Sequence, residues 1–328
     1  MIKIALDAFG GDYAPEQIVE GALRAAELDG ISVIMTGDEA RLKSLIHGKA
    51  GSDLLEIVHA PEVIHMDEAP VEAVRSKEES SLVKAAHLVR DGMAGALVSA
   101  GSTGATMAAS LFGLKRIKGV ERPGITSLMP TRSGMALILD VGANVDCRPN
   151  QLVQFAQMGS IYAEQVLKIH NPRVGLLNIG HEPGKGNELV QEVYPLLQST
   201  SLNFVGNVEG RDIPRGDVDV IVCDGFVGNV VLKFAEGLAD TLFGMMKEEF
   251  SKNLPGIIGG LLVRPGSRRI KKKVDYTEYG GAPLLGVNGV VIVAHGGSNA
   301  KAIYNAIRVA KQGVQQDIVQ RIAERMAR

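Results

Sequence analysis

Five glycine-rich segments carry polar residues along this chain, and each lies between an apolar run and a stretch of helical period. They are SAGSTGA at 99–105, DVGANVD at 140–146, NIGHEPGKGNE at 178–188, CDGFVGN at 223–229 and HGGSN at 295–299. Glycine lets backbone N–H groups approach a ligand closely, and a following helix adds unpaired N–H groups and the positive end of its dipole. These segments therefore predict binding of phosphate or another anion.

The alternative for each loop is simple helix capping, because Thr103, Asn187, Asn229 and Ser298 are all good N-cap types. In a parallel sheet every strand-to-helix turn lies at the carboxyl edge, so we expect all five segments to share one edge, where such folds bind ligands. Five loops together favour a binding site over capping alone.

Standard catalytic motifs are missing. GxGxxG, HExxH and GxSxG do not occur, and GHEPGKG at 180–186 has the wrong spacing for a P-loop. Carboxylates at predicted strand ends could hold Mg²⁺, but capping is favoured because no compact ligand cluster is present; we predict no metal site. These carboxylates are Asp7, Asp12, Asp140, Asp146 and Asp224.

Composition excludes several classes of protein. The chain has 328 residues, 45 % hydrophobic and 22 % charged, which is typical of a globular protein of one large or two closely packed domains. A net charge of −2 gives no global field that would attract nucleic acid. Cys147 and Cys223 lie in no metal-binding or disulfide pattern. Only six residues precede Asp7 and no apolar run approaches ~18 residues, so we expect a cytoplasmic protein.

Short runs rich in Val, Ile and Leu alternate with helical stretches, which predicts a mostly parallel sheet covered by helices on both faces. A barrel is the alternative from this pattern alone. One predicted helix begins at Val227 and is amphipathic. The predicted strands are 2–7, 31–36, 54–58, 95–100, 135–142, 173–180, 202–208, 218–225 and 289–296.

LPGIIGGLLV at 254–263 departs from this pattern. It is apolar, but Pro255 and three glycines make it a poor helix and a poor strand interior. A basic run, RRIKKK at 268–273, follows it. The segment is interpreted as a dimer interface, a core hairpin or a membrane-touching tip, and we favour a helix-hairpin tip.

Seven segments together resemble the bacterial phosphate acyltransferases of phospholipid synthesis. They are DAFGGDYAP at 7–15, SAGSTGA, LDVGANVD at 139–146, GLLNIGHEPGKGNE at 175–188, GNVEGRD at 206–212, DGFVGNVVLK at 224–233 and EYGGAPLLG at 278–286. They span almost the whole chain, and their joint occurrence in this order is specific. Departures are small: Phe9 stands where methionine is usual, Ser102 where asparagine is usual, and His181 and Pro183 lie in a variable loop.

The resemblance implies transfer of a fatty acyl group from an acyl carrier protein thioester to inorganic phosphate, with no cofactor. It also implies one two-lobed catalytic unit over 1–328, with a three-layer fold like that of isopropylmalate and isocitrate dehydrogenases. It further implies a homodimer on the inner face of the cell membrane, bound peripherally, which supplies a membrane acyltransferase. Binding of nucleic acid is not expected.

For this reaction we predict Lys185, Asn229 and His295 as catalytic residues, because phosphate must be oriented and a tetrahedral oxyanion stabilised. A carrier thiol with a pKa of roughly 8.5 leaves easily, so direct displacement needs neither a strong general acid nor an acyl-enzyme. Lys185 alternatively carries a solvated charge, Lys233 an ion pair, and His295 a structural hydrogen bond. The residues predicted to bind phosphate or the acyl group are Gly101, Thr103, Gly104, Asn144, Asp224, Gly225, Gly228 and Lys233.

Residues 250–275 are predicted to contact the membrane or the carrier protein. Large apolar side chains would support reversible adsorption to a bilayer, and basic residues would add attraction to anionic lipid or to an acidic carrier. The predicted contact residues are Leu254, Ile257, Ile258, Leu261, Leu262, Arg268, Arg269 and Lys271.

Three competing functions remain. A phosphate acetyltransferase-like enzyme would use coenzyme A thioesters at the same loops. A non-catalytic module that binds acyl carriers or senses lipid would keep the fold alone. A metal-dependent decarboxylating dehydrogenase would show Mg²⁺-dependent reduction of a nicotinamide.

Overall fold

A computed structural model describes residues 2–327 of the chain. Eleven strands alternate with eleven α-helices and three short 3-10 helices in this range. The strands are β1 Lys3–Asp7, β2 Ser32–Gly37, β3 Leu55–His59, β4 Ala96–Ser99, β5 Gly124–Pro130, β6 Met135–Leu139, β7 Val174–Asn178, β8 Phe204–Glu209, β9 Val220–Val222, β10 Ala282–Leu285 and β11 Val290–Val293. The helices are α1 Glu16–Asp29, α2 Glu39–Ile46, α3 Pro70–Ser76, α4 Ser81–Arg90, α5 Thr103–Gly113, α6 Pro149–Gln165, α7 Glu188–Gln198, α8 Gly225–Ser251, α9 Leu254–Val274, α10 Ala300–Gln315 and α11 Ile318–Met326, and the 3-10 turns are Ser52–Leu54, Ile213–Arg215 and Tyr276–Glu278.

All the strands form one sheet in the order β3-β2-β1-β4-β11-β10-β5-β6-β9-β7-β8. The sheet is open, with β3 and β8 as its outermost strands, so the barrel alternative is wrong. Neighbouring strands are parallel except around β10 and β5, where β10 is antiparallel to both β11 and β5, and β5 is antiparallel to β6. The predicted mostly parallel sheet is confirmed.

Those three antiparallel pairings reverse the direction of the strands at the centre of the sheet. β1, β2, β3, β4 and β11 run one way, while β6, β7, β8 and β9 run the other way. The loops at 99–105 and 295–299 therefore leave one edge of the sheet, and those at 140–146, 178–188 and 223–229 leave the opposite edge. Our expectation of a single shared edge is wrong because it assumed that all strands were parallel.

Helices cover both faces of the sheet, which gives the predicted three layers. On one face, Ile18 of α1, Phe155 of α6 and Ile303 of α10 belong to one continuous core that also contains Ile4 and Leu6 of β1. On the other face, α3, α4 and α5 pack against alternate strand residues, and α8 adds Val231, Leu232 and Ala235. The alternation of Ile4, Ala5 and Leu6 between these cores follows from the two-residue period of a strand.

The nine predicted strands all exist, although most are shorter than predicted. The structure adds β5 and β10, which the pattern did not predict. Both contain proline, and β5 also contains Ser127, so neither has the continuous apolar run that marked the other strands. These two strands are also the ones that reverse the sheet.

Residues 254–263 are not the poor helix former that the sequence indicated. They begin α9, whose first turn is capped by Asn253 through its Oδ1 and the Gly256 N–H at 2.8 Å. Pro255 lies in that first turn, where its missing N–H costs nothing. Lys252 and Asn253 join α9 to α8, so the favoured hairpin of two helices is present. Among residues 2–327, no helix has both the length and the apolar character needed to cross a membrane.

Candidate active site

Asp7 organises the loops at the edge of the sheet formed by β1, β4 and β11. Its buried carboxylate accepts a hydrogen bond from the Ser99 hydroxyl at 2.7 Å, and Ser99 Oγ accepts one from the Gly101 N–H at 3.1 Å. Burial raises the pKa of Asp7, while hydrogen bonds from Ser81, Ser99 and the loop amides oppose that rise. The Gly101 N–H is therefore already paired with Ser99 and does not serve as a donor to a ligand.

The N-terminus of α5 lies at the same edge. Ser102, not Thr103, is its cap, with Oγ accepting from the Ala105 N–H at 3.4 Å. Thr103 is exposed, and among the hydrogen bonds of residues 2–327 none uses its N–H or that of Gly104. A Cβ on Gly104 would lie 2.7 Å from Pro70 Cγ, so glycine is needed there for packing. These two amides can receive an anion.

His295 begins the neighbouring loop and is exposed. Its Nδ1 accepts the Gly297 N–H at 3.1 Å, which leaves the ring hydrogen of a neutral imidazole on Nε2. A Cβ on Gly297 would lie 3.4 Å from His295 Nδ1 and 3.8 Å from Asp12 Oδ2, so Asp12 lies beside the same loop. Ser298 is buried, and the cap of α10 is Asn299.

Asp140 organises the loops at the opposite edge of the sheet, as Asp7 does at the first edge. Its fully buried carboxylate accepts five hydrogen bonds, from the N–H groups of Ile125, Gly142, Ala143 and Asn144 and from the Asn144 side chain, at 2.7–3.2 Å. Burial raises the pKa of Asp140, and the donors from Ala143, Asn144 and Ile125 oppose that rise. Asn144 also donates to the Pro123 carbonyl at 2.8 Å, so its side chain serves the loop.

The start of α8 is tied to that loop. The Gly225 N–H donates to the Asn144 carbonyl at 2.7 Å, and Asp224 caps α8 by accepting from the Val227 N–H at 2.9 Å. A Cβ on Gly228 would collide with the Asp140 carbonyl oxygen. Three predicted binding residues, Asp224, Gly225 and Gly228, thus have structural partners that explain their residue types.

Lys185 lies in the 178–188 loop, between β7 and α7. The Asn178 side chain donates to the Lys185 carbonyl at 3.0 Å, and Asn187 caps α7 through the Val190 N–H at 3.0 Å. His181 attaches this loop to β8, with Nδ1 3.2 Å from the Asn207 carbonyl and Nε2 3.4 Å from Asp212 Oδ2. Lys185 is exposed and has no ion pair within 4.0 Å in the described part of the chain.

Helix α8 connects the two edges of the sheet. Asn229, Lys233 and Glu236 are spaced i, i+4 and i+7, so they share one face beside the packed residues Val231, Leu232 and Ala235. Asn229 lies against the Asp140 loop, because a Cβ on Gly142 would be 3.8 Å from Asn229 Cγ. Asn229 and Glu236 are separated by about 10 Å along the helix axis.

Glu236 is the residue on this face that sequence reasoning missed. It is half-buried, and this burial raises its pKa. The charge of His295 lowers the same pKa, and its effect is larger than that of Lys233, which lies one turn away on α8. His295 is therefore near Glu236, and this face of α8 extends from the Asp140 loop toward the His295 loop. The signal in the sequence was the seven-residue spacing from Asn229 on a predicted helix. Within residues 2–327, no carboxylate lies within 4.0 Å of Lys233, although its charge acts on Glu236 one turn away, so its phosphate-binding role and its ion-pair alternative both stay predictions.

The two cysteine thiols lie beside the Asp140 loop. Cys223 is buried and its Sγ donates to the Asp140 carbonyl at 3.4 Å, and Cys147 Sγ donates to the Asn144 carbonyl at 3.5 Å. Burial raises the pKa of Cys147 to about 12 and also raises that of Cys223. Neither thiol is an activated nucleophile.

The predicted site residues thus fall into two groups joined by α8. His295 and Thr103 lie at one edge, Lys185 and Asn144 lie at the other, and Asn229 and Lys233 extend along the helix between them. Of the four proposed caps, only Asn187 is one; the caps of α5, α8 and α10 are Ser102, Asp224 and Asn299. Together these groups offer N–H donors and cations, which suit an anionic substrate and a developing oxyanion.

Comparison with known proteins gives consistent results along the whole chain. The model of a family described as fatty acid synthesis protein matches residues 2–321. A phosphate acyltransferase from Pelotomaculum thermopropionicum is 56 % identical, covering 98 % of this chain and 94 % of that protein. One from Desulfitobacterium hafniense strain Y51 is also 56 % identical, covering 100 % and 98 %.

Solved structures show the same fold at low identity. A phosphotransacetylase from Streptococcus pyogenes superposes with a TM-score of 0.66 at 20 % identity, covering 96 % of this chain and 94 % of that one. A 4-hydroxythreonine-4-phosphate dehydrogenase from Klebsiella pneumoniae gives 0.57 at 10 % identity, covering 96 % and 99 %. These similarities establish the arrangement of the sheet and helices.

Proposed function

This chain belongs to the fatty acid synthesis protein family and is an acyltransferase like its phosphate acyltransferase relatives, and we propose that it transfers a fatty acyl group from acyl carrier protein to inorganic phosphate. The product is an acyl phosphate for phosphatidic acid synthesis. The observation that supports this proposal is the set of N–H donors and cations in the loops around α8, beside thiols that are not activated.

The proposed reaction is a direct displacement. A phosphate oxygen attacks the thioester carbonyl carbon, a tetrahedral oxyanion forms, and the C–S bond breaks as the carrier leaves as a thiolate. Lys185 and Lys233 hold phosphate, and the Asn229 amide donates to it. At the opposite edge, the free amides of Thr103 and Gly104 and the His295 ring stabilise the oxyanion, which forms where phosphate meets the thioester carbonyl. The chain requires no covalent acyl-enzyme, since the leaving thiolate is already stable.

We also propose the molecular setting that the family resemblance implied. Residues 1–328 act as one two-lobed unit, the protein is a homodimer, and it binds peripherally to the inner face of the cell membrane. There it passes its product to a membrane acyltransferase. The exposed apolar side chains of α8 and of the first half of α9 support both associations.

The deciding experiment mixes the purified protein with long-chain acyl carrier protein and phosphate, and mass spectrometry follows free thiol and acyl phosphate. We expect release that depends on phosphate and on the carrier. A second function, use of coenzyme A thioesters, is favoured by the structural similarity to phosphotransacetylases. Release only from acyl coenzyme A would establish that function instead, and no release from either thioester would favour a non-catalytic binding module.

A further inference from the structure

The segment GNVEGRD, residues 206–212, carries part of the family resemblance but supplies none of the groups in the proposed reaction. It contains the end of β8 and the turn that follows. In that turn the Glu209 N–H donates to Asp212 Oδ2 at 3.0 Å, and the Asp212 N–H donates to the Glu209 carbonyl at 2.9 Å. These two hydrogen bonds close the turn, so the segment holds its shape without help from neighbouring loops.

Both carboxylates of this turn are paired with arginines. Asp212 is buried and accepts a hydrogen bond from Arg215 Nη1 at 2.7 Å. Glu209 Oε2 lies 2.7 Å from Arg211 Nε. The carboxylates are thereby held in place, and both lie near Nε2 of His181, with Asp212 Oδ2 at 3.4 Å and Glu209 Oε1 at 3.7 Å.

The partners of His181 require a hydrogen on each of its ring nitrogens. Nδ1 is 3.2 Å from the Asn207 carbonyl, which can only accept a hydrogen bond. Nε2 faces the carboxylates of Glu209 and Asp212, which also only accept when they are ionised. A neutral ring would turn a lone pair toward them, whereas a ring with both hydrogens carries a positive charge. The charged form of His181 therefore fits this position.

Asn207 connects the same segment to Lys185. It is 5 % exposed, and its Nδ2 donates to the Glu182 carbonyl at 2.9 Å. That carbonyl also accepts the Lys185 N–H at 3.1 Å. The 178–188 loop is thus held to β8 at His181 and at Glu182, just before Lys185.

We propose that residues 206–212 position Lys185 for phosphate, and that His181 is the positioning residue whose positive charge joins the 178–188 loop to this segment. The inference rests on the proposed function, in which Lys185 holds phosphate. Loss of the charge on His181 frees the first half of the loop, so Lys185 occupies its place less often and phosphate binds more weakly. The charged groups around the ring are Glu209, Asp212, Arg211 and Arg215 on the β8 side and Glu182 and Lys185 in its own loop.

The test compares His181→Gln, which removes the charge, with His181→Lys, which keeps a charge that does not titrate near neutral pH. His170→Gln is the matched control, because His170 is exposed and precedes β7, at the opposite edge of the sheet. At about pH 6 the phosphate KM of His181→Gln should be about three- to fivefold that of the wild type with kcat unchanged, since partly exposed ion pairs are weak. At about pH 8 the wild type should lose this advantage and His181→Lys should keep it. Phosphate ionises identically in every assay, so the ratios between variants are unaffected.

Hydrogen exchange of the 178–188 amides, followed by mass spectrometry at the lower pH, tests the loop without any thioester. Exchange should be faster in His181→Gln than in the wild type or His170→Gln. An unchanged exchange rate or an unchanged phosphate KM in His181→Gln would overturn the positioning role, and so would a fall in kcat as large as the rise in KM. If the wild-type protein released no thiol, faster exchange in His181→Gln would still support the attachment of the loop, and only the proposed function would be contradicted.

Discussion

The carboxylates in and around the candidate site have different roles, which follow from their surroundings. Asp7 and Asp140 are buried and accept hydrogen bonds from the loops that follow their strands. They shape the loops, and their carboxylates are already hydrogen-bonded inside the protein. Glu236 is half-buried on α8 and lies near His295. Substitutions of these residues should therefore affect different properties of the protein.

Asp140→Asn should destabilise the fold by about 2–4 kcal/mol, because an amide would turn N–H donors toward backbone donors and leave buried groups unsatisfied. Chemical denaturation followed by circular dichroism measures this loss. Asp53→Asn, a change of the same kind in an exposed 3-10 turn, is the control and should change stability by less than about 0.5 kcal/mol. Equal stabilities of the two variants would contradict the structural role of Asp140.

Glu236→Gln should lower kcat about tenfold with little change in the KM for phosphate, because the negative charge near His295 is lost. The free energy of unfolding, in contrast to kcat, should not fall in this variant. A carboxylate with a raised pKa is less favourable when charged in the folded state, so the neutral amide should be at least as stable at pH 7. That advantage should disappear below the ordinary glutamate pKa of 4.5, where wild-type Glu236 is itself protonated.

Glu248→Gln, an exposed position farther along α8, is the control for that experiment. A double-mutant cycle with His295→Asn isolates the interaction, since coupled residues lose less together than the sum of their separate losses. Strictly additive losses would show that Glu236 acts independently of His295.

Lys185→Ala should raise the phosphate KM by roughly tenfold or more while the protein stays folded, because a charge-assisted hydrogen bond contributes about 1.5–3 kcal/mol. Lys233→Ala should have a similar effect. Initial rates at varied phosphate measure both, with the exposed Lys118→Ala as control. An unchanged phosphate dependence in Lys185→Ala would return that residue to its alternative role as a solvated loop charge.

At the scale of elements, α8 determines how the site is assembled. Its 27 residues extend for about 40 Å, which is more than the length of the strands beside it. Asn229 and Glu236 can therefore serve loops at opposite edges of the sheet. The same helix exposes Phe226, Val230 and Phe234 on a separate face.

The sequence predicted those elements that have strong periodicity. The nine apolar strands and the helix containing Val231 and Leu232 followed from local pattern. β5 and β10 did not, because Pro130, Pro283 and Ser127 interrupt the apolar run and because the two strands pair with each other from distant parts of the sequence. For α9, the low helix propensity of glycine is offset by the Asn253 cap and by packing of Gly260 against Phe250.

The tip of the hairpin gives a prediction about membranes. Leu261 and Leu262 are 60 % and 78 % exposed in the first half of α9. Leu261→Glu with Leu262→Glu should abolish most co-sedimentation with liposomes, because two large apolar side chains would no longer enter the bilayer interface. Leu28→Glu with Met93→Glu, also exposed apolar positions, is the control. Undiminished sedimentation of the tip variant would rule out this contact.

At the scale of the whole molecule, the reversal of the sheet decided where the predicted site residues lie. Types and spacing identified the glycine loops, but the edge from which each loop leaves depends on the direction of its strand. That direction is set by β10 and β5, the strands without a pattern. The Asp140 carboxylate likewise depends on the Ile125 N–H, which comes from one of these strands. The β10–β5 pairing that joins the two halves of the sheet is long-range, and it leaves no local signal in the sequence.

The apolar face of α8 predicts the state of assembly. Phe234 and Leu238 are 68 % and 45 % exposed in the single chain, although they lie on one face with Val230 and Leu242. Contiguous exposed apolar surface of this kind is typical of an interface, and a second copy of the chain would bury it. Phe234→Ser with Leu238→Ser should convert a dimer into a monomer in sedimentation velocity, with circular dichroism unchanged because these side chains support no core in the single chain. Leu28→Ser, an exposed position on α1, should leave the dimer intact. A wild-type protein that sediments as a monomer at all concentrations would contradict the dimer and leave this face to another partner.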